Sequence, residues 1–231
     1  MIKSPITGKP VAKLTESFDS DKIVALYAKE IGVDVSRYFA GIQQVGLCQC
    51  PDTGYRFFHP EMHCRRPAFY EALQQKLTYY HPFRWEHKQA LRAISREDKV
   101  LEIGCGSGNF LLKLKDTGVD AAGIEFNEMA ISEAVKKGLN VARQTLGELA
   151  AARPENFDAV CFFQVLEHIT GVQEFITGAL KTLKKGGKLI IGVPNNNPFL
   201  YRWDKWHTLN LPPPPFRIVG QKEPEGIGRG L

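Results

Sequence analysis

The sequence predicts an α/β fold. A parallel sheet covered by helices carries a small irregular head before it and a C-terminus that reads as truncated. Three observations lead there. Apolar runs alternate with amphipathic helical runs between about residues 86 and 194. The runs are apolar in the way of strands buried on both faces rather than one. One of them, Val100-Leu101-Glu102-Ile103, feeds straight into a turn with glycine at Gly104, Gly106 and Gly108.

The elements follow in order. A helix over 86–95 turns Ala90, Leu91 and Ile94 inward. A strand over 99–103 enters the glycine turn, and a helix over 109–117 ends at Gly118. A strand over 121–126 and a helix capped by Asn127 come next, with Ala130, Ala134 and Val135 along it. A short strand near 140–143 precedes a strand over 157–163. A helix then carries Val172, Phe175, Ile176, Ala179, Leu180 and Leu183. After Lys184-Lys185-Gly186-Gly187 the last strand covers 188–193. Right-handed crossovers gather the C-terminal ends of such strands on one rim, where ligands bind.

The flanks differ in texture. Before about residue 86 the chain reads as irregular, with turns at Ser4-Pro5-Ile6-Thr7-Gly8 and Cys50-Pro51-Asp52-Thr53-Gly54. An amphipathic helix follows Asp19-Ser20-Asp21, with Ile23, Leu26, Tyr27 and Ile31 on one face, and a second is expected over 67–77. A hairpin spans 45–50 and 55–58 around the second turn. Beyond 195 no period is visible. Leu211-Pro212-Pro213-Pro214-Pro215 is a rigid break, and 220–231 reads as disordered. The domains expected are therefore a head and lid segment over 1–85, a cofactor-binding core over 86–200, and an acceptor-loop remnant and tail over 201–231.

Composition narrows the class. With 231 residues, 43% of them hydrophobic, the chain can bury a full domain and a smaller appendage. The net charge of +5 suits an anionic substrate, but no Lys/Arg block is dense enough for a nucleic-acid surface. No apolar run reaches membrane-spanning length and no signal-peptide pattern opens the chain. Five cysteines in no regular framework read as reduced thiols, hence a cytoplasmic protein.

The glycine turn carries the chemistry. Glycines let the backbone pass close to a ligand, because no Cβ intervenes. An acidic residue about 20 positions on, at the end of the next strand, can accept both ribose hydroxyls of an adenosine. Glu125 holds that place. A dinucleotide site wants a further glycine where this chain has Asn109, which makes a nicotinamide dehydrogenase a distant alternative. Glu102 sets a carboxylate beside the turn, which suits an ammonium and a sulfonium better than a pyrophosphate.

These residues resemble the first motif of class I S-adenosyl-L-methionine-dependent methyltransferases. The resemblance runs on through Gly123-Ile124-Glu125-Phe126, Phe157-Asp158-Ala159-Val160, Gln164-Val165-Leu166-Glu167-His168-Ile169 and Leu183-Lys184-Lys185-Gly186-Gly187-Lys188-Leu189-Ile190-Ile191, roughly half of the chain. It implies a Rossmann-like core and the small-molecule branch, which includes ubiquinone-type O-methyltransferases and sugar methyltransferases. It also implies roles. Glu102, Gly104, Gly106 and Gly108 hold the methionine end, Glu125 the ribose, and Phe126 lies against adenine. The loop at Thr145 and Leu146 brackets the adenine edge, although Thr145 stands where relatives often carry Asp. Gln164 faces the cofactor near the sulfonium.

Tyr80 belongs to the aromatic run 79–85, where related enzymes lay a lid helix. Plain packing between head and core competes with that reading for Tyr79 and Trp85. His168, just past a strand on the ligand rim, is the candidate base, with helix-start packing or substrate positioning as its competitors.

The two head turns echo each other and resemble Cys-Pro-x-Cys-Gly zinc knuckles in which three of four cysteines are Ser or Thr. Zinc needs thiolate or imidazole ligands. Cys48, Cys50, His59, His63 and Cys64 have poor spacing for a site, so the expectation is no metal and a relic held by hydroxyls. The head is expected to bind the acceptor or to dock a partner enzyme or a second copy. The function expected is methyl transfer to a small-molecule acceptor such as a sugar or cell-envelope precursor. The competing class is a non-catalytic cofactor-binding or partner-binding protein left by C-terminal truncation.

Overall fold

The computed structural model describes residues 2–11, 14–60, 84–169, 171–193, 205–206, 208, 211–212 and 217–218. In chain order the elements are β1 (Leu14–Asp19), α1 (Ser20–Leu26), β2 (Gln44–Gln49), β3 (Arg56–His59), α2 (Trp85–Ala93) and β4 (Lys99–Ile103). Next come α3 (Asn109–Asp116), β5 (Asp120–Ile124), α4 (Glu128–Lys136), β6 (Asn140–Ala142) and α5 (Leu146–Ala152). The last are β7 (Phe157–Phe163), α6 (Val172–Thr182), β8 (Leu183–Gly192) and β9 (Arg217–Ile218). They form two compact units, one on the sheet β1-β2-β3-β9 and one on the sheet β6-β5-β4-β7-β8. The segment Glu167–Val172 groups with the first unit. The helix expected over 67–77 lies outside the described residues.

The head is more regular than its texture predicts. Its sheet is antiparallel throughout, with Phe18 opposite Val45, Cys48 opposite Phe57, and Arg56 opposite Ile218. The expected hairpin is β2 and β3. The strand β1 escapes a reading by alternation, because only Phe18 of its six residues is buried and a register shift falls between Leu14 and Glu16. Helix α1 starts where expected: the Asp19 carboxylate accepts the Lys22 backbone N–H at 2.9 Å. A π-helical turn over Tyr27–Ile31 continues it and ends at Gly32, whose φ is 71°. Ile23, Tyr27 and Ile31 thus share one face, buried with Phe18, Val35, Phe39, Leu47 and Leu211. Each such side chain contributes about 1.5–3 kcal/mol by leaving water.

The second unit confirms the predicted α/β architecture. All four strand pairings of its sheet are parallel, and β4 lies at the centre between β5 and β7. The chain winds outward from β4 to β5 and β6, then returns to β7 on the other side, so the order reverses beside β4. A crevice opens at such a reversal, outside the carboxyl ends of the strands. Phe110, Leu111 and Leu114 of α3 and Ala134 of α4 pack with Val100, Ala159, Cys161 and Phe163 of the strands. The rings of His87, Phe110 and Phe163 meet with centroids 4.9–5.2 Å apart.

Two boundaries differ from expectation. Strand β8 begins at Leu183, paired with Phe157, and its pairing resumes at Lys188 opposite Ala159. The expected turn at 184–187 is therefore an irregularity within a strand. The stretch after Thr145, expected as a loop, forms α5. Among the described residues no helix is long and apolar enough to cross a membrane.

Candidate cofactor site

The site grows from the end of β4. Val100, Leu101, Glu102 and Ile103 are all buried, so the strand leaves the sheet with no freedom to slide. It enters a turn in which Gly104, Gly106 and Gly108 all have positive φ, at 71°, 53° and 75°. An L side chain costs about 1–2 kcal/mol in that region. Backbone bonds close the turn: Gly104 N–H donates to Ile124 O at 2.8 Å, and Gly108 N–H to Cys105 O at 2.9 Å. A Cβ on Gly104 would stand 2.6 Å from Val165 Cγ2. Gly108 is also the residue before α3, so the turn opens onto a helix N-terminus.

Glu125 is held across this turn. Its Oε2 accepts the Gly106 N–H at 2.9 Å, and its Oε1 accepts those of Phe126 at 2.7 Å and Asn127 at 2.9 Å. Phe126 beside it is 59% exposed, an apolar ring facing water on the rim. Glu102 is buried, and its Oε2 has no hydrogen-bond partner among the described residues. Burial first, and then the charge of Glu125, push its carboxyl well above the usual carboxylate range. A buried carboxylate oxygen without a donor is costly, and a cationic ligand group would supply the missing partner.

The other predicted residues fall as follows. Gln164 directly follows β7 and has a φ of 55°, rare for a residue with a side chain. Its backbone N–H donates to Gly192 O at 2.8 Å and its Nε2 to Glu86 Oε1 at 3.3 Å. Thr145 and Leu146 do not form a loop; they start α5. The Thr145 hydroxyl accepts the Glu148 N–H at 3.1 Å and donates to Glu148 Oε2 at 2.8 Å, a capping box. Trp85 is 73% exposed. Tyr80 lies outside the described residues. His168 closes the 3₁₀ turn Leu166–His168, with its Nε2 3.9 Å from Glu167 Oε1. Burial pushes its imidazole down to about 4.

Three contributors were missed in the sequence. Gly123 of β5 lies under the turn, where a Cβ would meet Cys105 Sγ at 2.6 Å and Leu111 Cδ1 at 2.7 Å. Lys137 Nζ donates to Ser107 O at 2.7 Å and to Asn109 Oδ1 at 3.2 Å, tying the end of α4 to the turn. Glu86, at the start of α2, receives Gln164. Only Gly123 left a signal, a glycine inside a strand, which marks close approach.

Residues 74–214 match the profile of a family described as a methyltransferase domain, more than half of the chain. The chain belongs to that family. The cofactor of its class I core is S-adenosyl-L-methionine, and the residues present fit it. Among the described residues a buried carboxylate oxygen of Glu102 has no partner and stands ready for an ammonium, and the positive-φ glycines lead the turn into the N-terminus of α3.

Among its relatives, the ubiquinone biosynthesis O-methyltransferase of Saccharophagus degradans is 30% identical over 116 residues, covering 48% of this chain and 49% of that one. The enzyme of the same name from Pseudomonas fluorescens strain Pf0-1 is 33% identical over 109 residues, 45% and 47%. The chain spans about half the length of the curated relatives it matches. Solved structures similar to it include an S-adenosylmethionine-dependent methyltransferase from Archaeoglobus fulgidus, at 24% identity and TM-score 0.46 over 52% and 57% of the two chains. Another is a methyltransferase from Thiobacillus denitrificans in complex with S-adenosyl-L-homocysteine, at 19% identity and TM-score 0.45 over 55% of each.

Proposed function

We propose that this methyltransferase domain transfers a methyl group from S-adenosyl-L-methionine to a hydroxyl of a small-molecule acceptor. Glu102 carries the reading: a buried carboxylate oxygen with no partner among the described residues, just ahead of a turn of three positive-φ glycines. The relatives' names support an oxygen acceptor. The acceptor proposed is a sugar or a cell-envelope precursor, handled in the cytoplasm. Among the described residues Cys48, Cys50, Cys105 and Cys161 are free and buried, which supports that compartment. The head is proposed to bind the acceptor or to dock a partner.

When bound, the cofactor supplies an electrophilic methyl carbon on a positively charged sulfur, open to in-line displacement. The chain's residues do the rest. Glu102 offers its carboxylate to the ammonium, and Glu125 turns its carboxylate toward the ribose while the Gly106 N–H fixes it. The amides of the turn and the start of α3 set the backbone against the ligand. Alignment and exclusion of water supply much of the rate. In this reading the His168 imidazole would take up the proton that the acceptor hydroxyl gives up. Burial holds that imidazole down to about 4, so it rests neutral through the physiological range.

The test uses tritiated methyl donor and a small-molecule extract. Label appears in an extract component with the wild-type chain. With His168→Ala, turnover falls about 10²–10⁴-fold while cofactor affinity, measured by calorimetry, is unchanged. Binding without any labelled product would sink the transferase reading and leave a cofactor-binding protein. Full turnover in His168→Ala would remove only the base.

A further inference from the structure

The echo between the two head turns is repeated bond for bond. Ser4 N–H donates to Lys9 O at 2.8 Å, and Cys50 N–H to Tyr55 O at 2.7 Å. Gly8 N–H reaches Ser4 O at 2.9 Å, and Gly54 N–H reaches Cys50 O at 2.9 Å. Both glycines have left-handed φ, 69° and 70°. The side chains repeat the pattern. Ser4 Oγ accepts the N–H groups of Ile6 at 3.2 Å and Thr7 at 3.3 Å; Cys50 Sγ is hydrogen-bonded by the backbone of Asp52 and Thr53. Thr7 Oγ1 accepts the Lys9 N–H at 3.4 Å, and Thr53 Oγ1 accepts the Tyr55 N–H at 3.3 Å.

The two turns face one another around Cys50. Its Sγ lies 3.8 Å from Thr7 Oγ1 and is hydrogen-bonded by the side chains of Ser4 and Thr53 as well. Lys9 Nζ pairs with Asp52 Oδ2 at 3.0 Å between the turns. Ser4 and Cys50 are buried at 2% and 0% exposure. So the side-chain oxygens of Ser4, Thr7 and Thr53 converge on Cys50 Sγ, and each of the four heteroatoms is met by a backbone N–H. In a tetrahedral zinc–thiolate site each sulfur sits about 2.3 Å from the ion, which sets neighbouring sulfurs about 3.8 Å apart. The Thr7–Cys50 separation equals that edge. Amides aimed at each ligand are the surroundings that hold thiolates in place around a metal. The remaining requirement, thiolate chemistry, fails at three of four places. Among the described residues no group of three or more His, Cys, Asp or Glu could hold a metal ion.

We propose that Ser4, Thr7, Cys50 and Thr53 occupy the four vertices of a soft-divalent-cation site in which three hydroxyls stand in for thiolates. The wild-type head is then closed by hydroxyl–thiol hydrogen bonds instead of a metal. Burial alone would push the Cys50 thiol up; the hydrogen bonds from Ser4, Thr53 and the Asp52 and Thr53 backbone outweigh it and bring it down to about 7. The inference is independent of the methyl-transfer reading.

The test is cobalt(II) titration of the full-length chain and of Ser4→Cys/Thr7→Cys/Thr53→Cys under reducing conditions. The triple variant should take up a single equivalent, with thiolate-to-cobalt charge transfer and the intense d–d bands of tetrahedral coordination. Wild type should show neither, and should carry no stoichiometric zinc as purified. A triple variant that has native circular dichroism yet binds no more cobalt than wild type overturns the proposal. So does wild-type protein isolated with one zinc. Should the triple variant fail to fold, Thr7→Cys/Thr53→Cys keeps the Ser4 cap and decides by the same criteria, with weaker binding expected from three thiolates.

Discussion

Two kinds of glycine turn occupy the two units, and they handle their polar groups in opposite ways. In the head, the turns at Ser4–Gly8 and Cys50–Gly54 satisfy themselves, with hydroxyls and a thiol taking the amides. In the α/β unit, the turn at Gly104–Gly108 leaves a buried carboxylate oxygen of Glu102 without a donor among the described residues. The first arrangement is stable alone. The second keeps a buried acceptor open for a ligand, which is how a binding site differs from a structural turn built of the same residue type.

Substitutions can break that comparison. The largest effect is expected from Gly104→Ala, where left-handed strain of about 1–2 kcal/mol adds to an overpacking cost of about 1–3 kcal/mol against Val165. Thermal unfolding should show the loss, and calorimetry should find no cofactor binding. Next comes Glu102→Gln. In the folded protein Glu102 holds its proton above the ordinary 4.5, so its neutral form contributes stability at low pH that is lost as pH rises past that value. Glutamine removes the penalty. At pH 7 the variant should be about 1–3 kcal/mol more stable without cofactor, with the gain vanishing below about pH 4.5. Its cofactor affinity should drop about 10–100-fold, since a charge-assisted hydrogen bond is worth about 1.5–3 kcal/mol. A variant with lower stability and unchanged affinity would make Glu102 an ordinary core residue.

Smaller effects are expected in the head. Gly8→Ala carries the same left-handed φ but meets nothing within 4 Å, so only the strain of about 1–2 kcal/mol remains. Its unfolding midpoint should fall while cofactor affinity stays at the wild-type value. Ser4→Ala removes the acceptor of two backbone amides and should cost about 1 kcal/mol in a chemical-denaturation measurement. A loss equal to that of Gly104→Ala would erase the distinction between the two kinds of turn.

The α/β unit was legible because its signals are local. Strand β7 is apolar at every position but Asp158, Asn127 caps a visible helix, and the glycines adopt positive φ. What escaped depends on partners distant in sequence. Strand β1 pairs with β2 while burying a single side chain, and β9 is two residues long. Lys137 finds Ser107 only after α4 has packed. One miss was avoidable. Thr145 with Glu148 is a capping box that announces α5, and the implied adenine loop obscured it. Of the site, Glu102, Glu125 and the three glycines fall at one strand end and its neighbour as expected. The positions of Ser4, Thr7, Cys50 and Thr53 were legible from the turn echo, whereas the approach of the three hydroxyls to Cys50 needed the fold.

Leu211 sits fully buried in the head core, and the Tyr27 hydroxyl donates to its carbonyl at 2.8 Å. Strand β3 likewise awaits Arg217 and Ile218. Residues on both sides of the α/β unit in the chain therefore build the head. The core around Ile23, Tyr27 and Ile31 thus takes one of its side chains from beyond the α/β unit in the chain, so its full set of contacts can close only after that unit has been synthesised.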